Sequence, residues 1–221
     1  MRHPAGWPDL VIFDCDGVLV DSELLSCDCL AATLSRHGFR ITRDEVMALF
    51  LGRSSSVVAE HFEARTGAPL PERFGEDMRA GLAECFTASL QRMPGIEEVI
   101  AALDRPYCLA TSSDPGRLSV TLSVTGLAEL FRDRTFTASM VKRGKPAPDL
   151  FLHAAAAMGA DPARALVVED SVPGVLAAKA AGMTVWGFVG GSHYGGRDGA
   201  GLLCEAGADR VFSEMAEFSL A

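Results

Sequence analysis

"LVIFDCDGVLVDSE", residues 10–23, decides the fold. Four apolar residues run straight into two aspartates separated by one cysteine, and a glycine follows at once. A short run without polar alternation is what a strand needs when both of its faces are covered, as in a parallel sheet clothed by helices. Its end is harder to explain, because two carboxylates so close to a buried strand repel each other and resist desolvation.

The same apolar pattern recurs down the chain. Strands are expected at 107–110, 165–168, 184–188 and 210–212, each a short run bounded by polar residues or glycine. Helical patterns fall between them at 96–103, 115–125, 149–158 and 172–181, several closing on glycines such as Gly126, Gly159 and Gly182. Alternation of this kind specifies a doubly wound α/β core with a parallel sheet. Residues 22–93 break it, since only helical patterns occur there. Thr42 and Glu45 have capping-box spacing, Gly38 and Gly67 suit helix stops, and 71–92 is amphipathic. The reading is therefore a core of 1–21 with 94–221, carrying a helical cap of 22–93. An insert directly after the first strand is placed to act as a lid over the carboxyl edge of the sheet, where ligands bind in such folds. Pro94 and Gly95 punctuate the return, and the glycine-rich 187–201, "GFVGGSHYGGRDGAG", reads as a flexible loop.

Bulk properties narrow the function. The chain has 221 residues, 48% of them hydrophobic, and a net charge of −9 at pH 7. It lacks the basic runs that nucleic acid or an anionic membrane surface would require, which leaves small-molecule chemistry. No apolar run approaches the roughly 20 residues of a membrane span, and residues 1–8 lack the apolar centre of a signal peptide. A cytoplasmic protein is expected. The six cysteines form neither a CxxC pair nor a zinc-type spacing with the five histidines, so they read as reduced structural thiols.

Other polar residues fall where the first strand's aspartates do. Thr111 and Ser112 follow the second expected strand, Glu169 and Asp170 the third, and Lys145 lies in "GKPAPD" ahead of a helix. Parallel neighbours would gather Asp14, Asp16, Thr111, Lys145, Glu169 and Asp170 at one sheet edge. Singly, each has a plain explanation: an aspartate after a strand caps a helix, and a lysine is solvated. Their ordered recurrence at strand ends outweighs it. Four crowded acids demand a cation, and an all-oxygen set suits Mg²⁺ better than zinc or a softer metal. Cys15 keeps the plain reading, a spacer between two working residues.

These segments resemble the haloacid dehalogenase superfamily, and within it the phosphatases similar to β-phosphoglucomutase. "DCDGVLVDSE" matches the first family motif, the Thr111 region the second, "GKPAPDLF" the third and "VVEDSVPGVLAAKAAGM" the fourth. The resemblance implies a Rossmann-like core with a helical cap and an aspartyl-phosphate mechanism. It makes Asp14 the nucleophile and Asp16 the general acid/base. Thr111, Ser112 and Lys145 would bind phosphate, and Mg²⁺ would be held by Asp14, Asp16, Glu169 and Asp170. The substrate is then a small phosphorylated metabolite, a sugar phosphate or phosphosugar acid, and the protein a monomer or weak homodimer.

Departures bear on the reaction. Where the mutases carry a histidine after the first motif and an arginine in the cap loop, this chain has Ser26 and Ser55. That argues for hydrolysis over a phosphohexose mutase, with Arg53 as the cap's candidate anionic contact. A dehalogenase would not need Asp16 or the metal-site acids. A phosphorylatable receiver shares the acids, Thr and Lys but has no place for a cap.

Overall fold

Residues 7–53 and 55–220 are described in the computed structural model of the chain. Positions 1–6 of the region read for a leader, and Ser54 of the cap loop, lie outside that range. The chain divides into two compact units, Met1–Asp21 with Gln91–Ala221, and Ser22–Leu90.

The first unit begins with Leu10–Phe13 (β1). The second then contributes Glu23–Arg36 (α1), Arg43–Phe50 (α2), Ser55–Thr66 (α3) and Phe74–Ser89 (α4). The first resumes with Ile96–Ala102 (α5), Tyr107–Thr111 (β2), Pro115–Val124 (α6), Thr135–Thr137 (β3) and Asp149–Ala157 (α7). Ala165–Glu169 (β4), Val172–Ala180 (α8), Thr184–Phe188 (β5), Gly199–Glu205 (α9) and Arg210–Phe212 (β6) complete it. Among the described residues the six strands form one parallel sheet in the order β3-β2-β1-β4-β5-β6.

The unbroken apolar runs follow from burial on both faces. Leu10, Ile12, Cys108, Ala110, Val167 and Val185 pack with Leu150, Phe151, Val175 and Leu203 of α7, α8 and α9. The alternate residues Val11, Phe13, Leu109, Leu166 and Val168 are fully buried on the opposite face, where the Phe13 ring lies 6.2 Å from that of Phe218. Each fully buried Leu, Ile or Phe contributes roughly 1.5–3 kcal/mol. That reserve lets the strand ends carry charges that cost stability.

The helical unit has its own core, with Leu34, Phe39, Val46, Phe50, Val58 and Phe62 at its centre. The Thr42 hydroxyl accepts from the Glu45 N–H while the Glu45 carboxylate accepts from the Thr42 N–H, a complete capping box opening α2. Gly38 and Gly67 both take positive φ beyond helix ends. The unit ends at Leu90, three residues before the expected boundary, because Gln91 and Arg92 already pair with Asp21 and Val20 of the other unit.

Two further differences have physical causes. β3 escaped sequence reading because its three residues, coming straight after Arg132, Asp133 and Arg134, give no apolar run. The expected loop 187–201 is mostly ordered structure: Gly187 and Phe188 end β5, Ser192–Tyr194 form a 3₁₀ turn, and Gly199–Gly201 open α9 under the Asp198 cap. Several of its glycines serve close packing. A Cβ on Gly199 would sit 2.2 Å from the Tyr194 ring, and one on Gly201 2.3 Å from the Asp198 carboxylate. Among the described residues no helix is long and apolar enough to cross a membrane, and the cysteines are thiols.

Candidate active site

Chain order reverses between β1 and β4, which are paired neighbours, and their carboxyl ends open the crevice where α/β sheets place ligands. The Asp14 N–H donates to the Val168 carbonyl at 2.9 Å, extending the β1–β4 ladder by one residue and fixing where the Asp14 side chain starts. Glu169 is the last residue of β4 and Asp170 follows it. Thr111 ends β2. Lys145 reaches in from the loop before α7 and donates to Asp14 Oδ1 at 2.5 Å, Glu169 Oε1 at 2.7 Å and the Ala110 carbonyl at 3.1 Å. These bonds use all three ammonium protons, and the side chain is 4% exposed. The other Glu169 oxygen accepts from the Ser171 N–H and hydroxyl.

Ligand oxygens of Asp14, Glu169 and Asp170, all buried, lie within 4.8 Å of one another. Burial pushes the Asp14 carboxyl up to about 8; Lys145 pulls it down, but Glu169 and Asp16 push it further up. Burial alone would lower the Lys145 pKa, yet the two carboxylates it touches outweigh that and hold it above its ordinary value. With all three buried carboxylates ionised against one ammonium, the centre would be short of positive charge by two units. An oxygen-only donor set with that deficit fits a hard dication such as Mg²⁺.

Asp16 is not among the three converging acids. Gly17, at φ +79°, turns the chain just beyond it. Its Oδ2 accepts from the Ser113 hydroxyl at 2.7 Å and its Oδ1 from Arg117 Nη2 at 2.6 Å. Ser113 lies in the β2–α6 turn and Arg117 in the first turn of α6, where Asp114 caps the Gly116 and Arg117 N–H groups. Thr111 is buried and its hydroxyl accepts from the Ser113 N–H at 3.0 Å, while Ser112 is exposed. Arg53 lies in the helical unit on the exposed turn before α3. Cys15 is fully buried, and its carbonyl accepts from the Leu19 and Val20 N–H groups, a structural role.

Several residues escaped the sequence reading. Ser113 and Arg117 carried a signal, a polar pair just past a strand that already supplied Thr111. Asp21 lay within the first motif without a role assigned to it, and Ser192, His193 and Tyr194 lay in the segment read as a loop. Ser192 donates its N–H and hydroxyl to Asp21 Oδ1 at 3.1 and 2.8 Å, and the Tyr194 hydroxyl donates to the Asp170 carbonyl. His193 Nε2 lies 3.3 Å from Asp170 Oδ2. Burial pushes its imidazole down to about 4 against the pull of Asp21, with Arg197 assisting.

Gly17 itself is required twice. Its φ lies in the left-handed region, and a Cβ there would sit 1.8 Å from Asp170 Oδ2. Gly17→Ala is expected to cost about 1–3 kcal/mol of backbone strain and, by displacing Asp170, on the order of 10²-fold in turnover. Thermal melts and kcat/KM on an aryl phosphate measure the two, and native kinetics in the variant would remove Gly17 from the site.

Comparison with known proteins places these features in company. The model of the haloacid dehalogenase-like hydrolases matches residues 8–182. The chain is 28% identical to the 6-phosphogluconate phosphatase of Escherichia coli K12, over 84% of each protein. It is 34% identical to hexitol phosphatase A of the same organism, over 79% of this chain and 80% of that one. A hydrolase of the same family from Deinococcus radiodurans R1, solved with bound phosphate and sodium, superposes with a TM-score of 0.78 at 34% identity, covering 95% of this chain and 92% of the other.

Proposed function

The chain belongs to the haloacid dehalogenase-like hydrolases and is a phosphoric monoester hydrolase, and from that premise we propose a Mg²⁺-dependent phosphatase of a small sugar phosphate or phosphosugar acid, working through an aspartyl-phosphate on Asp14. The observation that carries this reading is the Lys145 ammonium shared between Asp14 and Glu169, with Asp170 completing the acidic cluster at the switch point of the sheet.

In the proposed reaction an Asp14 oxygen attacks phosphorus in line with the ester oxygen. The P–O bond to the sugar breaks and the departing oxygen takes a proton from Asp16. Water then attacks the phosphorus of the aspartyl-phosphate, Asp16 takes the proton of that water, and Asp14 leaves as a carboxylate. Held by Asp14, Glu169 and Asp170, Mg²⁺ would supply the missing positive charge that keeps Asp14 ionised and eases approach of an anionic phosphoryl group. Lys145 adds to that field from a fixed position. Thr111 and Ser112, at the end of β2, are the candidate donors to phosphoryl oxygens. Both Asp16 oxygens are engaged by Ser113 and Arg117 in the resting arrangement, so its acid step requires it to turn from Arg117 to the leaving oxygen.

Turnover of a panel of phosphorylated metabolites, with and without EDTA, tests the reading. Hydrolysis should vanish on chelation and return with Mg²⁺, and full activity in metal-free buffer would sink the cation site. The acid role of Asp16 has a separate signature. Asp16→Asn should slow sugar phosphates by about 10²- to 10⁴-fold and aryl phosphates less, because an aryl leaving group hardly needs the proton. Equal losses on both would mean that Asp16 does not protonate the leaving group.

A further inference from the structure

We propose that His193 is a positioning residue that fixes the orientation of the Asp170 carboxylate and thereby sets the affinity of the acidic cluster for its cation. The assignment rests on the cation site argued above and adds a residue from outside the four motifs.

The 191–194 turn grips Asp170 at two points. The Tyr194 hydroxyl holds its backbone carbonyl while His193 faces its side chain, Nε2 to Oδ2 at 3.3 Å. The turn is itself anchored, with Ser192 bonded twice to Asp21 and the His193 ring tilted against that of Tyr194, their centroids 4.2 Å apart. Glycine permits the approach: a Cβ on Gly191 would lie 2.7 Å from His193 Cε1 and 3.5 Å from the Gly17 carbonyl. Gly17, Gly191, His193 and Tyr194 thus close on one aspartate from two loops.

The chemistry then selects one tautomer. A carboxylate only accepts, so the imidazole nitrogen facing it must carry the hydrogen. Among the described residues Nδ1 is buried without a hydrogen-bond partner. A hydrogen on Nδ1 would be an orphaned donor and would set the Nε2 lone pair against the carboxylate, two penalties at once. With the hydrogen on Nε2, the imidazole presents its N–H to Asp170 Oδ2, 3.3 Å away. Hydrogen bonds to ligating carboxylates typically govern metal affinity by about 10- to 100-fold.

Calorimetric titration of the full chain with Mg²⁺ reads this without turnover. His193→Phe, which keeps a ring of similar size but no donor, should weaken Mg²⁺ binding by roughly 10- to 100-fold. His193→Gln, whose amide N–H can replace the donor, should recover most of that loss. Equal Mg²⁺ affinity in the Phe variant and the native chain would overturn the assignment alone. A Gln variant as weak as Phe would trace the effect to packing and overturn the donor role. No Mg²⁺ binding by the native chain would overturn the cation site and this inference with it. Nitrogen-15 shifts of the native histidines give a check independent of any variant: the Nε2–H tautomer is expected for His193, and Nδ1–H would refute the contact.

Discussion

Asp14→Asn should abolish turnover and yet melt at a higher temperature than the native chain in metal-free buffer at pH 8. Loss of the nucleophile removes the covalent step, an effect on the order of 10⁴-fold or more. The gain in stability follows from charge. Burial and neighbouring acids raise the Asp14 carboxyl from 3.8 to about 8 in the fold. Below pH 4 it is protonated in both folded and unfolded chains and costs nothing. Between about pH 4 and pH 8 the unfolded chain ionises first, so stability declines across that window and levels off above it. Asparagine has no proton to lose and escapes the decline. A tenfold difference in acidity between the folded and unfolded chains corresponds to about 1.4 kcal/mol; about 2 kcal/mol left after relaxation of the site is roughly 4–8 °C for a chain of this size. Added Mg²⁺ should raise the melting temperature of the native chain and reverse the order. A metal-free variant that melts lower than the native chain at pH 8, or one that keeps turnover within tenfold, would contradict the electrostatic account.

That trade between stability and chemistry explains what the sequence reveals and what it hides. β1 is legible because burial on both faces leaves four apolar residues with no polar alternation, and its continuation into Asp14 marks the functional edge. Glu169 and Lys145 are legible because charge at the end of an apolar run, or in a proline-bracketed loop, is improbable without a partner. The partner itself is not legible, since nothing in spacing says that Lys145 will bridge Asp14 and Glu169. Asp16 likewise has partners that spacing does not reveal. Its place beside Asp14 suggests a shared cation, whereas the turn at Gly17 leaves its carboxylate on Ser113 and Arg117. The 187–201 segment misleads most, because glycine composition signals flexibility when the cause is steric: Gly191, Gly199 and Gly201 make room for His193, Tyr194 and Asp198. Composition cannot separate a glycine needed for freedom from one needed for closeness.

Lys145→Met should be the most destabilising single change at the site. Methionine keeps an unbranched stem of similar length against the Phe151 ring, over which Nζ lies 4.8 Å from the centroid, so the loss isolates the charge. Removing one partner from a buried ion pair leaves the other uncompensated, at about 3–5 kcal/mol, or roughly 10–15 °C for this chain length. Here two carboxylates, Asp14 and Glu169, lose their shared donor together. Protonation offers an escape, so in EDTA the drop in melting temperature should be smaller at pH 5 than at pH 8. Mg²⁺ should restore part of the stability by supplying positive charge to the same oxygens, while turnover stays low because the fixed ammonium is gone. Combining the change with Asp14→Asn separates charge from packing. If crowded carboxylates are the cause, the double variant should be more stable than the sum of the single effects predicts, with a coupling of about 0.5–3 kcal/mol. Strict additivity, together with an equal loss at pH 5 and pH 8, would mean that Lys145 acts through packing on Phe151, and the charge deficit inferred for the site would be wrong.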